Sequence, residues 1–299
     1  IYIYIYIYIL DLHMRLTAQV QPNKSRSKQC SRPTGDFDCV FLLHFMALPL
    51  IRTLFDSVGP NPWVVRLAFK SKGIRLLKGK AFNNAVLKDG PYVERHQLRL
   101  VDQIPENRHS SMLIKNAAGT TPFIELEDGT CLSESVAICE YLDACYPNNS
   151  HFLTGGPTAM DKARTTMWTQ RIQLGITQPF QRQYQYGEGA PYFKQHVPWV
   201  EASIPAVAGL RKQTTDTLTW LENTMQDNKN NGLDTGFIAS STSYTIPDLQ
   251  LFCTAKFMSN DKVNVAKLTN SFNPAKELGP WLNDWYKRMD DIVQELDAK

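Results

Sequence analysis

Residues 119–146, GTTPFIELEDGTCLSESVAICEYLDACY, decide the fold. Gly119 and the Thr120-Thr121-Pro122 run stop the preceding helix, because Pro122 brings no N–H and bars the α region for Thr121. Phe123, Ile124 and Leu126 then read as a strand, Glu127-Asp128-Gly129 as a hairpin turn, and Thr130-Cys131-Leu132 as the returning strand. Ser133-Glu134-Ser135 opens a helix carrying Val136, Ile138, Cys139, Tyr141 and Leu142. Such a helix start presents free backbone N–H groups and the positive dipole end, with hydroxyls alongside. A small carboxylate would bind there.

Upstream, Ile51–Ser57 reads as a first strand and Ser57–Trp63, with its glycine and two prolines, as a loop. Val64, Val65, Leu67, Ala68 and Phe69 then make a helix that ends at Lys72-Gly73, where glycine suits the C-terminal cap. Val93–Val101 is the next strand, and Glu106–Ile114 a short second helix. Between these, residues 75–92 exceed what the connection needs and are expected as a surface loop or a splicing error.

This ordered set resembles the glutathione-binding half of the glutathione S-transferases. Asn116–Pro122 stands where that family has a loop ending in a cis-proline, and Glu134-Ser135 stands at its acidic residue and serine. The cis form of Pro122 follows from the resemblance alone, since most X–Pro bonds are trans. The fold implied is a thioredoxin-like α/β domain over residues 46–146 followed by an all-α domain over residues 158–299.

The second half fits that expectation. Met160, Met167 and Leu174 give one apolar stripe, and Trp168, Ile172 and Ile176 its neighbour. Pro179 is expected to bend or end that helix. Gln181–Tyr192 is polar and aromatic, Leu210–Met225 is amphipathic, and Asn228–Asp234 is a polar loop. Thr245 with Asp248 three residues on, and Pro247 in the first turn, makes a helix start, with Tyr244 and Leu249 at the staple positions. It resembles the N-capping box of the family's central core helix. Trp281, Trp285 and Met289 mark the last helix.

Residues 1–10, IYIYIYIYIL, alternate strictly, as the translation of a TA dinucleotide repeat would. Residues 11–38 are polar and unpatterned. Residues 1–45 are therefore expected to be a disordered or spurious extension, with Met14 or Met46 as the start and a transit peptide as the functional alternative. The net charge of +3 is small and the basic residues are scattered, which argues against a nucleic-acid partner. No run reaches the length of a membrane span. The six cysteines show no metal-ligand spacing and read as reduced thiols, which points to the cytoplasm.

The resemblance implies an enzyme that uses glutathione as co-substrate, needs no metal, works as a homodimer and attacks an electrophilic small molecule with the glutathione thiolate. It implies that Thr121, positioned by Pro122, pairs by backbone with the cysteinyl unit. It further implies that Ser135 holds the γ-glutamyl carboxylate and that Glu134 faces the γ-glutamyl amine. Asn107 or Arg108 would meet the glycine carboxylate, and Trp168, Arg171 and Tyr184 would wall the electrophile site. A thiol of pKa about 8.5 needs donors aimed at its sulfur to become a nucleophile. The family's usual hydroxyl position falls on Gly59, which has no side chain to donate. Asn61, Ser57 and the backbone N–H groups of Gly59 or Asn61 are the candidates that remain. Glutathione-dependent disulfide reduction or peroxide reduction is the rival chemistry, and a non-catalytic association module the rival class.

Overall fold

The computed structural model describes residues 50–79, 91–101, 104–146, 151–187, 189–194, 200–233, 236–240, 242–259 and 279–298. The expectations for residues 1–45 and for most of the unusual connection, residues 80–90, lie outside the described residues. So do those for Pro147–Ser150, Asp234 and the side chains of Tyr192 and Phe193.

The first domain is a five-stranded sheet in the order β2 (Arg75–Leu77), β3 (Tyr92–Gln97), β1 (Ile51–Asp56), β6 (Phe123–Leu126), β7 (Cys131–Ser133). Strand β1 (Ile51–Asp56) is central, pairing in parallel with β3 (Tyr92–Gln97) and antiparallel with β6 (Phe123–Leu126). β7 (Cys131–Ser133) returns antiparallel to β6 across the hairpin that the Glu-Asp-Gly turn anticipates. Alternation sends Leu54 to one face of the sheet, onto Val64, Leu67, Ile138 and Leu142, and Phe55 to the other, onto Phe123 and Leu98. Phe55 and Phe123 stack at 4.5 Å between centroids.

Four details depart from the sequence reading. Helix α1 spans Pro60–Ser71, so much of the anticipated Ser57–Trp63 loop is already helical. Pro60 takes the first helical position, where its fixed φ is pre-organised and its missing N–H costs nothing. Arg75–Leu77 is not loop but the edge strand β2, paired in parallel with residues 92–94. The anticipated Val93–Val101 strand breaks after Gln97; β4 (Leu100–Val101) turns back on β5 (Ile104–Pro105) as a separate ribbon. The Glu106–Ile114 helix is two pieces, a 3-10 turn at Glu106–Arg108 and α2 (Ser110–Leu113), interrupted at His109.

The second domain is helical: α4 (Ala159–Ile172), α5 (Gln178–Tyr186), α6 (Ala190–Lys194), α7 (Ile204–Asn230), α8 (Ile246–Met258) and α9 (Pro280–Ala298). It follows α3 (Ser135–Cys145), the helix that the hairpin feeds. Pro179 does not end the α4 run. A π-helical turn, Gln173–Thr177, joins α4 to α5 and absorbs the hydrogen bond that proline cannot make. Gly175 in that turn lets α7 approach, since a Cβ there would stand 2.6 Å from the Thr217 methyl. Of the two stripes on this helix, Trp168, Ile172 and Ile176 are buried, whereas Met160, Met167 and Leu174 are exposed. Both repeat at helical spacing, and only the packing of α7 and α8 against one of them decides which is core.

Helix α8 is the hub. Nearly all of it is buried, and its start is organised by Asp248, which is fully inaccessible. The carboxylate accepts from the Thr245 amide and hydroxyl (2.9 and 2.8 Å), the Ile238 amide (2.9 Å) and Trp285 Nε1 (2.9 Å). Four donors replace the water that burial removed. Phe252 carries the core across to the first domain, its ring 6.1 Å from Trp63. Within the first domain Lys72 and Asp143 form a buried ion pair (2.7 Å) that also holds the following linker, Lys72 donating to the His151 carbonyl (2.6 Å) and Asp143 accepting from the Leu153 and Thr154 amides (3.1 and 2.7 Å).

Candidate functional site

Register places the candidate residues. Phe55 pairs with Phe123 and Phe123 with Ser133, so the end of β1, the start of β6 and the end of β7 lie side by side. Ser57, Thr121-Pro122 and Glu134-Ser135 each follow or precede one of those strands by a residue or two. They therefore meet at one edge of the sheet, where α1 and α3 also begin.

The Thr121–Pro122 bond is cis, as the resemblance implied. Its loop is held by side chains. Asn116 Nδ2 donates to the Thr120 carbonyl (2.9 Å), Asn107 Nδ2 to the Gly119 carbonyl (2.5 Å) and Arg108 Nη1 to the Ala118 carbonyl (3.3 Å). Asn107 and Arg108 thus brace the cis-proline loop, the Arg108 side chain lying where a Cβ on Gly119 would meet it at 3.0 Å.

Glu134 has φ 74°, the only positive φ of a non-glycine residue among the described residues. Such a conformation costs about 1–3 kcal/mol and persists only where its surroundings impose it. Glu134 occupies the N-cap position of α3 yet makes no side-chain cap hydrogen bond, and Ser135 is buried behind it. The exposed Glu134 side chain is not used as an ordinary helix cap, and the first-turn N–H groups of α3 face the sheet edge without it.

The thiol-activating side is equally specific. Ser57 Oγ lies 2.7 Å from Thr121 Oγ1. Gly59 caps α1 with φ 155°, ψ 167°, a conformation essentially reserved for glycine. A hydroxyl-bearing residue is excluded there by backbone geometry. Asn61 sits inside the first turn of α1 rather than in a loop. With prolines at 60 and 62, it supplies the only amide N–H of the first three helical residues.

Sequence reasoning missed the cluster behind this loop. Asp56, completely buried, is met by Arg66 Nη1 (2.7 Å) and by Arg95 Nε and Nη2 (3.0 and 2.9 Å), and Arg66 also donates to the Ser57 carbonyl (3.3 Å). A carboxylate ending the apolar strand LFD was the available signal, because a buried charge requires partners. The proposed electrophile residues all come from the helical domain, on α4 and α5. Trp168 is core, and Arg171 rests over the rings of Trp168 and Trp220 at 5.0 and 5.4 Å. Tyr184 is half-buried on α5.

A thioredoxin-like domain with a cis-proline loop and a strained acidic residue at a helix start, followed by a helical domain, defines the class. Residues 54–150 match the family described as glutathione S-transferase, N-terminal domain. Over 127 residues the chain is 38% identical to glutathione S-transferase 2 of Saccharomyces cerevisiae, an alignment that spans 42% of this chain and 46% of that protein. The fold is similar to the crystal structure of Gtt2 from Saccharomyces cerevisiae, with TM-score 0.59 and 22% identity over 82% of this chain and 99% of that one. It is also similar to human glutathione transferase theta-2 in complex with glutathione, with TM-score 0.58 and 20% identity over 82% and 86%. Residues 54–150 are thus similar to the glutathione S-transferase N-terminal domain, and the chain shares the fold of the glutathione transferases it resembles.

Proposed function

We propose that this chain binds glutathione at the edge formed by Thr121, Pro122, Glu134 and Ser135, and transfers its thiolate to a small electrophile. The observation that carries the reading is the positive φ of Glu134 beside the uncapped start of α3. That geometry leaves backbone N–H groups and the Ser135 hydroxyl for the γ-glutamyl carboxylate and turns the Glu134 carboxylate toward the amine. The free amide edge at Thr121 pairs with the cysteinyl unit, which directs the sulfur at Ser57 and Asn61.

Activation follows from the hydroxyl pair. When Thr121 donates to Ser57 Oγ, the Ser57 proton is free to point at the sulfur and favour the thiolate. Asn61 contributes its side-chain amide and its N–H at the dipole end of α1. Asn107 and Arg108 hold the loop that presents Thr121, and Arg108 remains the cation available to the glycine carboxylate. Trp168, Arg171 and Tyr184 are kept as the electrophile wall, the protein working as a cytoplasmic homodimer. The exposed stripe Met160, Met167 and Leu174 supports self-association.

Retention on immobilised glutathione, followed by conjugation to a chromogenic aryl halide, tests this. Retention with turnover is expected. Retention with disulfide or peroxide reduction alone would favour the reductase reading, and no retention would favour an association module.

A further inference from the structure

A cavity of about 550 Å³ runs along one side of α1, bounded by the edge strand β2 and the end of α9, and none of Ser57, Asn61, Thr121 or Ser135 lines it. Its volume is within the range of small-molecule sites. Trp63, Leu67, Leu76 and Leu296 give it an apolar floor, and Arg66, Lys70, Arg95 and Asp297 bring charge.

Register gathers the cations at one end. Leu76 and Val93 are cross-strand partners packed into the core beneath α1. Two residues further along each chain segment, Lys78 and Arg95 therefore belong to the same face of the sheet. Lys78 Nζ donates to Gln97 Oε1 (2.8 Å), one more residue of that face. Arg75 belongs to the opposite face, over the Tyr92 ring at 5.8 Å. Arg66 and Arg95 meet on a single oxygen, Asp56 Oδ2, at 2.7 Å for Arg66 Nη1 and at 3.0 and 2.9 Å for Arg95 Nε and Nη2. Arg66 Nε and Nη2 and Arg95 Nη1 are left without an acceptor among the described residues. The two side chains keep 21% and 19% exposure, and none of their nitrogens is both buried and unpaired. The spare donors are open to a ligand.

The charges select that ligand. Lys70 and Asp297 cancel each other at 2.6 Å. Arg66, Arg95 and Lys78 share one carboxylate, Asp56, so three cations against one anion leave a surplus of two. Lys78 registers the surplus: burial first, then the charges of Arg95, Arg99 and Arg66, push its ammonium down, with Asp56 the one anion opposing them. An anion relieves this repulsion, and a doubly charged one does so most fully. Guanidinium forks match the oxygens of a phosphate.

We infer that this cavity is a ligand site for a small phosphomonoester dianion with an apolar body, its phosphate between Arg66, Arg95 and Lys78 and its body against Trp63, Leu67 and Leu296. Glutathione plays no part in it. The test is calorimetric titration of the full chain, above the second phosphate pKa of about 6, with phenyl phosphate, inorganic phosphate, benzoate and benzyl alcohol. Saturable binding of phenyl phosphate is expected, with the other three much weaker. Lys78→Gln should weaken phenyl phosphate about tenfold, as should Arg95→Lys, which keeps the charge facing Asp56 but removes the fork. Lys78 is exposed, so Lys78→Gln should melt as the parent does and be retained equally on immobilised glutathione. Ser135→Ala should leave phenyl phosphate binding intact, which separates this site from the one proposed for glutathione. Absent or non-saturable phenyl phosphate binding, equal binding of inorganic phosphate or benzoate, undiminished binding in Lys78→Gln or Arg95→Lys, or loss of binding in Ser135→Ala overturns the assignment.

Discussion

Ser57 Oγ stands 2.7 Å from Thr121 Oγ1, which links the end of the first strand to the residue before the cis-proline. One hydroxyl can orient the other, so the two act as a unit. Ser57→Ala should lower kcat/KM for conjugation by about 10–100-fold with little change in glutathione affinity. Thr121→Val, which keeps the backbone contact and removes the hydroxyl, should lower kcat in the same direction. Steady-state kinetics check both, and full turnover in Ser57→Ala together with Asn61→Ala would sink the catalytic assignment.

Restoring a hydroxyl at the family's usual position should fail. At φ 155° Gly59 tolerates no side chain without strain, so Gly59→Ser should destabilise the fold by about 1–3 kcal/mol and raise no activity. Chemical denaturation and the conjugation assay read the two halves. A more active Gly59→Ser protein would mean that the loop re-forms around the new side chain.

Stability should fall with acid through His151. Burial, then the nearby Lys72 cation, push its imidazole down from 6.5 to about 4, with Asp143 opposing. The unfolded chain takes up this proton below about 6.5 while the folded protein refuses it until about 4. The contribution is therefore intact above that window and lost as pH falls through it, by at most about 3 kcal/mol. Denaturant midpoints from pH 7 to 4 should show the slope, and His151→Gln should flatten it.

The Asp248 hub should be indispensable to folding and silent in chemistry. Asp248→Ala strands the donors of Thr245, Ile238 and Trp285 in a dry site, and should cost at least about 3 kcal/mol. Protein that remains folded should bind glutathione as the parent does. Melting curves with calorimetry on the folded fraction separate these effects.

The parts of the fold legible in sequence were those governed by local chemistry. Pro122, the Glu-Asp-Gly turn and the Thr245–Asp248 helix start each impose backbone geometry within a few residues. Both Thr121-Pro122 and Glu134-Ser135 were legible for that reason. What was not legible depends on partners distant in the chain. Arg75–Leu77 becomes a strand only because Tyr92–Glu94 offers an edge. Met160, Met167 and Leu174 match the period of Trp168, Ile172 and Ile176, and packing alone separates them. The meeting of Ser57 with Thr121, and of Asp56 with Arg66 and Arg95, follows from strand register and from side-chain reach, neither of which a linear pattern contains.

Glutathione recognition rests most directly on Ser135 and on the start of α3. A crystal structure of the full chain soaked with glutathione tests it in one measurement, supported by Ser135→Ala, which should weaken binding about tenfold. Glutathione is expected with its γ-glutamyl carboxylate on Ser135 and the α3 amides, its cysteinyl backbone antiparallel to Thr121, and its sulfur facing Ser57 and Asn61. A tripeptide bound elsewhere, or a site left empty at saturating glutathione, would contradict it.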